Sequence, residues 1–256
     1  MNLSVLRRID RCFQQSGWDR SAAYGALRLE IAKRLAGTKS EWLDAFFSAG
    51  NFAPAKPLPG EIQQLVDALP VASRPGAEGL GIHSIAAVSE FFAPHAKTQG
   101  VFYTPWSLAR RLARCVLQSL LVRQAGLTES AAEHLLSAAP YAAHSVPPEQ
   151  LDQLLSQLAV CDPAAGAGGL MLPFSLELAA LRQKLTPNQP LSEILYDILT
   201  HNLYAGDISA HALDDLQLGA ALLLAQYGQI PGKRPLLGHL FLGDSLAERK
   251  QKSVWR

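Results

Sequence analysis

Apolar residues recur at helical spacing through most of the chain. Val5, Leu6, Ile9, Cys12 and Phe13 share one face, and Leu27, Ile31 and Leu35 continue the pattern, which predicts helix over 3–35. A second helix is predicted over 41–49, with Ser40 as its cap. Pro54, Pro57 and Pro59 make 51–60 a loop, 61–68 reads as a short helix, and 70–81 is a second Pro/Gly-rich break. Residues 80–92 read as helix again. A long amphipathic helix follows over 106–123, with Leu108, Leu112, Cys115, Val116, Leu120 and Leu121 on its apolar side. Thr104-Pro105 suits its start, because threonine can cap and proline fits a first turn. Two or three small helices fill 128–158, interrupted by Ser145-Val146-Pro147-Pro148.

The pattern then changes. Three short apolar runs each end in a small residue or turn and an aspartate: Val160-Cys161-Asp162, Leu203-Tyr204-Ala205-Gly206-Asp207, and 236–242 followed by Gly243-Asp244. Helical stretches at 170–185, 191–202 and 210–227 separate them. Strand, helix, strand, helix, strand is a βαβαβ pattern. The fold class expected is α/β: a helical N-terminal region over 1–79, then a partial doubly wound, Rossmann-like sheet within 80–256.

Composition narrows the classes. Apolar residues are 48% of the 256, which suits a sizeable core, while charged residues are only 18% and the formal net charge is +1. A whole-surface nucleic-acid binder is not indicated, so any basic surface is local. One local excess lies in 3–35, with Arg7, Arg8, Arg11, Arg20, Arg28, Lys33 and Arg34 against Asp10, Asp19 and Glu30. It reads either as a solvated helical face or as a surface for phosphate or a partner. Cys12, Cys115 and Cys161 are odd in number and far apart, which argues against a disulfide framework or zinc site and favours a reducing cytoplasm. His134 and His144 have no acid or cysteine at ligand spacing. No apolar run is long enough for a bilayer, and no secretory signal is visible.

The chemistry gathers at the strand ends. Asp162-Pro163-Ala164-Ala165-Gly166-Ala167-Gly168-Gly169 is a loop of small residues between strand and helix. Such a loop lets a ligand approach the backbone, or simply lets a helix pack close to a strand. A carboxylate after the second strand, Asp207, suits two ribose hydroxyls, and Asp244 after the third suits an exocyclic amine. Together these describe an adenosine site. A nicotinamide or flavin site competes. Against it, Met171 stands where the third fingerprint glycine would fall, and Asp207 lies beyond the roughly 20-residue offset of that fingerprint.

Residues 100–105 (Gly-Val-Phe-Tyr-Thr-Pro), 162–169, 204–208 and 243–246 resemble, in order, four motifs of N6-adenine DNA methyltransferases. With the Tyr-Thr-Pro element first, the order resembles the gamma group, which includes type I modification subunits and fused restriction–methylation enzymes. The resemblance covers 80–246, and the loop reads Ala-Ala-Gly-Ala-Gly-Gly where the family often has Ala-Cys-Gly-Ser-Gly. It implies S-adenosylmethionine as cofactor, DNA as the substrate of the complete enzyme, and a role in restriction–modification or phage defence. Phe102, Tyr103, Thr104 and Pro105 would meet the methionine end, and Asp162, Ala164, Gly166 and Gly168 the methionine and sulfonium region. Asp207 would hold the ribose, Ile208 would lie against the adenine, and Asp244 would accept from its amine.

One departure matters. The family's catalytic Asn/Asp-Pro-Pro-aromatic motif, expected after the third strand, does not occur in these 256 residues; Pro147-Pro148 follows Val146 and precedes the glycine loop. That motif holds and stacks on the flipped base. The expectation is a cofactor-binding portion that does not transfer methyl groups alone. One side of the Val160 strand would be unpaired, which calls for a complementary chain, a further segment or self-association. The alternative is a non-catalytic, methyltransferase-like interaction or regulatory subunit.

Overall fold

The computed structural model describes residues 3–37, 41–48, 57–72, 79–92, 104–137, 145–229 and 236–247. Its elements are α1 (Leu3–Gln15), α2 (Arg20–Ala36), α3 (Glu41–Ser48), α4 (Gly60–Asp67), α5 (Ile82–Phe92), α6 (Trp106–Ala125), α7 (Glu129–Leu136), α8 (Pro148–Ser156), β1 (Val160–Asp162), α9 (Met171–Leu185), α10 (Leu191–Asp197), β2 (Leu203–Asp207), α11 (Ala210–Gln226) and β3 (His239–Leu242). A π-helical turn, Ile198–Asn202, joins α10 to β2. The architecture is α/β, with N-terminal helices ahead of a small three-stranded parallel sheet. The chain divides into two compact units. The first comprises Met1–Tyr103, Gly166–Gly168 and Ser209–Leu236; the second comprises Thr104–Ala165, Gly169–Ile208 and Leu237–Arg256.

In the first unit the predicted single helix over 3–35 is two. The chain turns at Ser16-Gly17-Trp18, and the Asp19 carboxylate restarts the helix by accepting from the N–H groups of Ser21 and Ala22 at 3.0 and 3.2 Å. Apolar periodicity ran through the turn because both helices bury the same kind of stripe: Leu6, Ile9, Cys12 and Phe13 in α1, Ala23, Leu27 and Ile31 in α2. Helices α2, α5 and α11 pack on one another. Helix α11 is apolar almost all round and is buried accordingly, from Leu216 to Leu224.

That helix also buries a carboxylate. Asp215 is fully buried, 2.7 Å from the Arg28 guanidinium, and accepts from the Tyr24 hydroxyl. Burial pushes the Asp215 carboxyl up, while Arg28 pulls it back. Burial, then the Asp215 charge, raises the Tyr24 phenol. Three bases of the predicted basic stretch are therefore structural. Arg28 pairs with Asp215, Arg20 donates to the carbonyls of Phe91 (2.8 Å) and Phe92, and Arg34 donates to those of Val66 and Leu69.

The second unit is built around α9. Its Glu177 receives Arg110 and Arg114 of α6. Its Arg182 reaches Asp152 of α8 at 2.9 Å and Asp197 of α10 at 2.8 Å. Its Lys184 ammonium donates to the Leu135 and Ser137 carbonyls at the end of α7. The Asn202 amide ties the π turn to the carbonyls of Ser156 and Leu158, at 2.9 and 2.6 Å.

Helix α6 departs from its predicted orientation. It buries Trp106, Ala109, Ala113, Leu117 and Leu121. Leu108, Leu112, Cys115 and Val116 are exposed instead. Alanines at 109 and 113 let α6 lie close to α9, so the small residues mark the buried side and the larger ones do not. Pro105 occupies the cap position, and no side chain, Thr104 included, caps the helix. Ser40, the other predicted cap, lies outside the described residues.

Removing one partner of the Arg28–Asp215 pair leaves a buried charge alone. Asp215→Leu or Arg28→Met is expected to lower unfolding free energy by about 3–5 kcal/mol, and the double variant by less than the two added together. Urea denaturation measures this. A second measurement concerns His83. Burial lowers its imidazole to about 4 from 6.5, so the unfolded chain binds more protons between those values. His83 therefore contributes stability above that window that is lost as the pH falls through it. Urea midpoints should drop between about pH 7 and about pH 5, and less so in His83→Gln.

Candidate functional site

Strand β2 lies between β1 and β3, and all three run parallel. Their carboxyl ends therefore open on one side. Asp162 pairs in register with Ala205, two residues before Asp207, so Asp162 and Asp207 lie on the same face of the sheet. Asp207 pairs with Leu242, and its carbonyl accepts from the Gly243 N–H at 2.9 Å. That bond holds the turn bearing Asp244 against the end of β2. Tyr204 and His239 stack across the other face with ring centroids 4.1 Å apart. Gly206 lies buried on that face beneath Pro163 and Phe241. A Cβ there would stand 3.5 Å from the Pro163 carbonyl and 3.6 Å from the Phe241 ring.

The loop after β1 spends its first N–H groups internally. The Asp162 carboxylate accepts from the Ala164 N–H at 3.0 Å, and the Ala165 N–H donates to the Gly206 carbonyl at 2.9 Å. Those two donors are not available to an anion. Beyond β3, the Asp244 carboxylate accepts from the Leu246 N–H at 2.9 Å. Asp162 and Asp244 each keep a second oxygen with no partner among the described residues. Residues 160–170, 203–209 and 239–247 contain three aspartates and no lysine or arginine. These segments are rich in carboxylate acceptors, which suit hydroxyls, amines and cations.

Apolar groups stand beside these carboxylates. Ile208 is 73% exposed, Leu242 57% and Leu246 93%. Exposed apolar side chains next to carboxylate acceptors match a ligand with a flat apolar ring and polar edges. Ile208 was expected from the sequence; Leu242 and Leu246 were not. Their signal was a leucine on either side of the Gly243-Asp244 turn, where a strand pattern has already ended. Among the described residues, no three His, Cys, Asp or Glu side chains gather to hold a metal ion.

The predicted residues divide as follows. Asp162, Ala164, Asp207, Ile208 and Asp244 belong to the second unit at or after the strand ends. Thr104 and Pro105 belong to that unit too, immediately before α6. Gly166 and Gly168 fall in the first unit, both with left-handed backbone at φ 55° and 83°. Phe102 and Tyr103 lie outside the described residues. No protein-family model matches the chain, and neither a curated protein nor a solved structure matches it.

The glycine loop offers an internal comparison. A Cβ at Gly166 or at Gly169 would meet nothing within 4 Å, but only Gly166 has positive φ. Gly166→Ala is expected to cost about 1–2 kcal/mol through backbone strain, with Gly169→Ala near neutral. Urea denaturation of the two variants checks this.

Proposed function

We propose that the strand ends bind S-adenosylmethionine, and that the chain is the cofactor-binding portion of a site-specific adenine-N6 DNA methyltransferase. The observation that carries the reading is the row Asp162, Asp207 and Asp244 at the ends of neighbouring parallel strands, beside exposed Ile208. S-adenosylmethionine fits that chemistry. It has no phosphate, it carries a sulfonium and an ammonium cation, and it offers two ribose hydroxyls and an adenine amine as donors. Asp207 accepts from the ribose, Asp244 from the adenine amine, and Ile208 rests on the adenine face. Asp162, at the first strand end, faces the cationic methionine portion. A dinucleotide would bring its pyrophosphate to a negative rim whose first loop N–H groups are already bonded.

Methyl transfer is a separate question. No Asn/Asp-Pro-Pro-aromatic motif occurs in the sequence, so no group here is assigned to the target base. Strand β1 pairs only with β2 among the described residues, leaving its other edge open. A complementary chain or segment that covers this edge and brings the catalytic motif completes the enzyme, and DNA is a partner of that complete form. No helix among the described residues is long and apolar enough to cross a membrane.

Calorimetric titration of the full chain tests the cofactor. S-adenosylmethionine should bind, and Asp207→Ala should weaken it by roughly tenfold or more through loss of charge-assisted hydrogen bonds. ATP should bind more weakly than S-adenosylmethionine, because its phosphates meet the acidic rim. Binding of ATP or NAD in preference, or unchanged binding by Asp207→Ala, would contradict the reading.

A further inference from the structure

At the carboxyl end of the sheet, on the face away from Asp162 and Asp207, an aromatic ring stands between two glycines. Phe241 of β3 pairs in register with Gly206 of β2, so it shares the side that carries Tyr204 and His239. A Cβ at Gly206 would stand 3.6 Å from the Phe241 ring and 3.6 Å from the Pro163 Cα. A Cβ at Gly243 would stand 2.7 Å from the ring's Cζ and 2.9 Å from its Cε1, well inside contact distance. Gly243 is not one of the left-handed glycines, so an added side chain there would meet the ring before it strained the backbone.

These contacts join the two segments that carry the outer carboxylates. Pro163 follows Asp162, and Gly243 precedes Asp244. The Asp162 and Asp244 carboxylates bond within their own loops, to the Ala164 and Leu246 N–H groups, so where they sit depends on where the loops sit. The loops are tied to β2 by the Ala165–Gly206 and Gly243–Asp207 backbone bonds, both 2.9 Å. Phe241 packs beside one residue of each bond, Gly206 and Gly243.

We infer that Phe241 is a positioning residue of the strand-end site: its ring, set between Gly206 and Gly243, fixes the spacing between the Asp162 loop and the Asp244 turn. It acts from the opposite face of the sheet, through the backbone of its neighbours. The ligand in this inference rests on the S-adenosylmethionine reading; the packing does not.

A cycle of size exchange tests it. Gly243→Ala adds a methyl where the ring lies, Phe241→Leu removes the far atoms of the ring, and the double variant does both. Amide exchange followed by NMR on the full chain, without ligand, reads the N–H groups of Ala165 and residue 243 against those of α9. Each single variant should speed exchange at both sites roughly fivefold or more with α9 unchanged, and the double variant should return toward wild type. Affinity for S-adenosylmethionine by calorimetry should follow the same order, weakened roughly threefold or more in each single variant and recovered in the double. A role in global stability alone would move α9 with the site and give no recovery. If Phe241→Leu fails to fold, Gly243→Ala is compared with Gly169→Ala, whose Cβ meets nothing within 4 Å, and only the first should speed exchange. Exchange unchanged in the single variants, no recovery in the double, or unaltered affinity in single variants of a wild type that binds overturns the inference. A wild-type chain that binds no S-adenosylmethionine contradicts the cofactor reading alone, and the exchange cycle still decides the role of Phe241.

Discussion

Two rows of parallel backbone hydrogen bonds to Leu203–Asp207 hold the candidate site in place. Strands β1 and β3 have no other partner among the described residues, so the position of Asp162 relative to Asp207, and of Asp244 relative to both, is set by registers on β2. A slip of one residue would turn Asp162 to the opposite face. The registers are protected at the carboxyl end by the Ala165–Gly206 and Gly243–Asp207 backbone bonds, which pin the loops beyond the strands. At the amino end, Asn202 fastens the turn before β2 to the chain leaving α8, just ahead of β1. The same strand is thus anchored at both ends before any ligand is considered.

Helix α9 ties together the helices of the second unit. It buries Glu177 and Arg182 and uses them, with Lys184, to reach α6, α7, α8 and α10. Buried charges of this kind add little net stability over an apolar core, but Glu177 and Arg182 each join two partners in a defined geometry. The first unit uses the same device, with Asp215 meeting Arg28 and Tyr24. In both units ionic contacts decide which helix faces lie together, and apolar burial supplies most of the energy.

The strands, the glycine loop and the order of helices were legible in the sequence, because period and turn chemistry changed together near Val160, Leu203 and His239. The Ser16–Trp18 turn was not, since apolar spacing carried across it while its signals, Gly17 and the Asp19 cap, were local and short. The buried face of α6 was misassigned because alanine is weak in hydrophobic pattern yet strong where helices approach closely. At the site, the three aspartates could be placed on strand ends from sequence, but their relative register could not. Nor could the sequence show that the Ala164 N–H is spent on the Asp162 carboxylate and the Ala165 N–H on the Gly206 carbonyl of β2, which removes two donors from any anion. The long pairing of Asp215 with Arg28 spans most of the chain and leaves no local trace.

Hydrogen–deuterium exchange with and without S-adenosylmethionine tests the central claim most directly, because it locates the ligand as well as detecting it. The account predicts added protection in the segments that contain Asp162–Ala165, Asp207–Ile208 and Gly243–Leu246, with little change in α2 and α11. Protection confined to α2 and α11, or none in the three strand-end segments under conditions where S-adenosylmethionine binds, would contradict it.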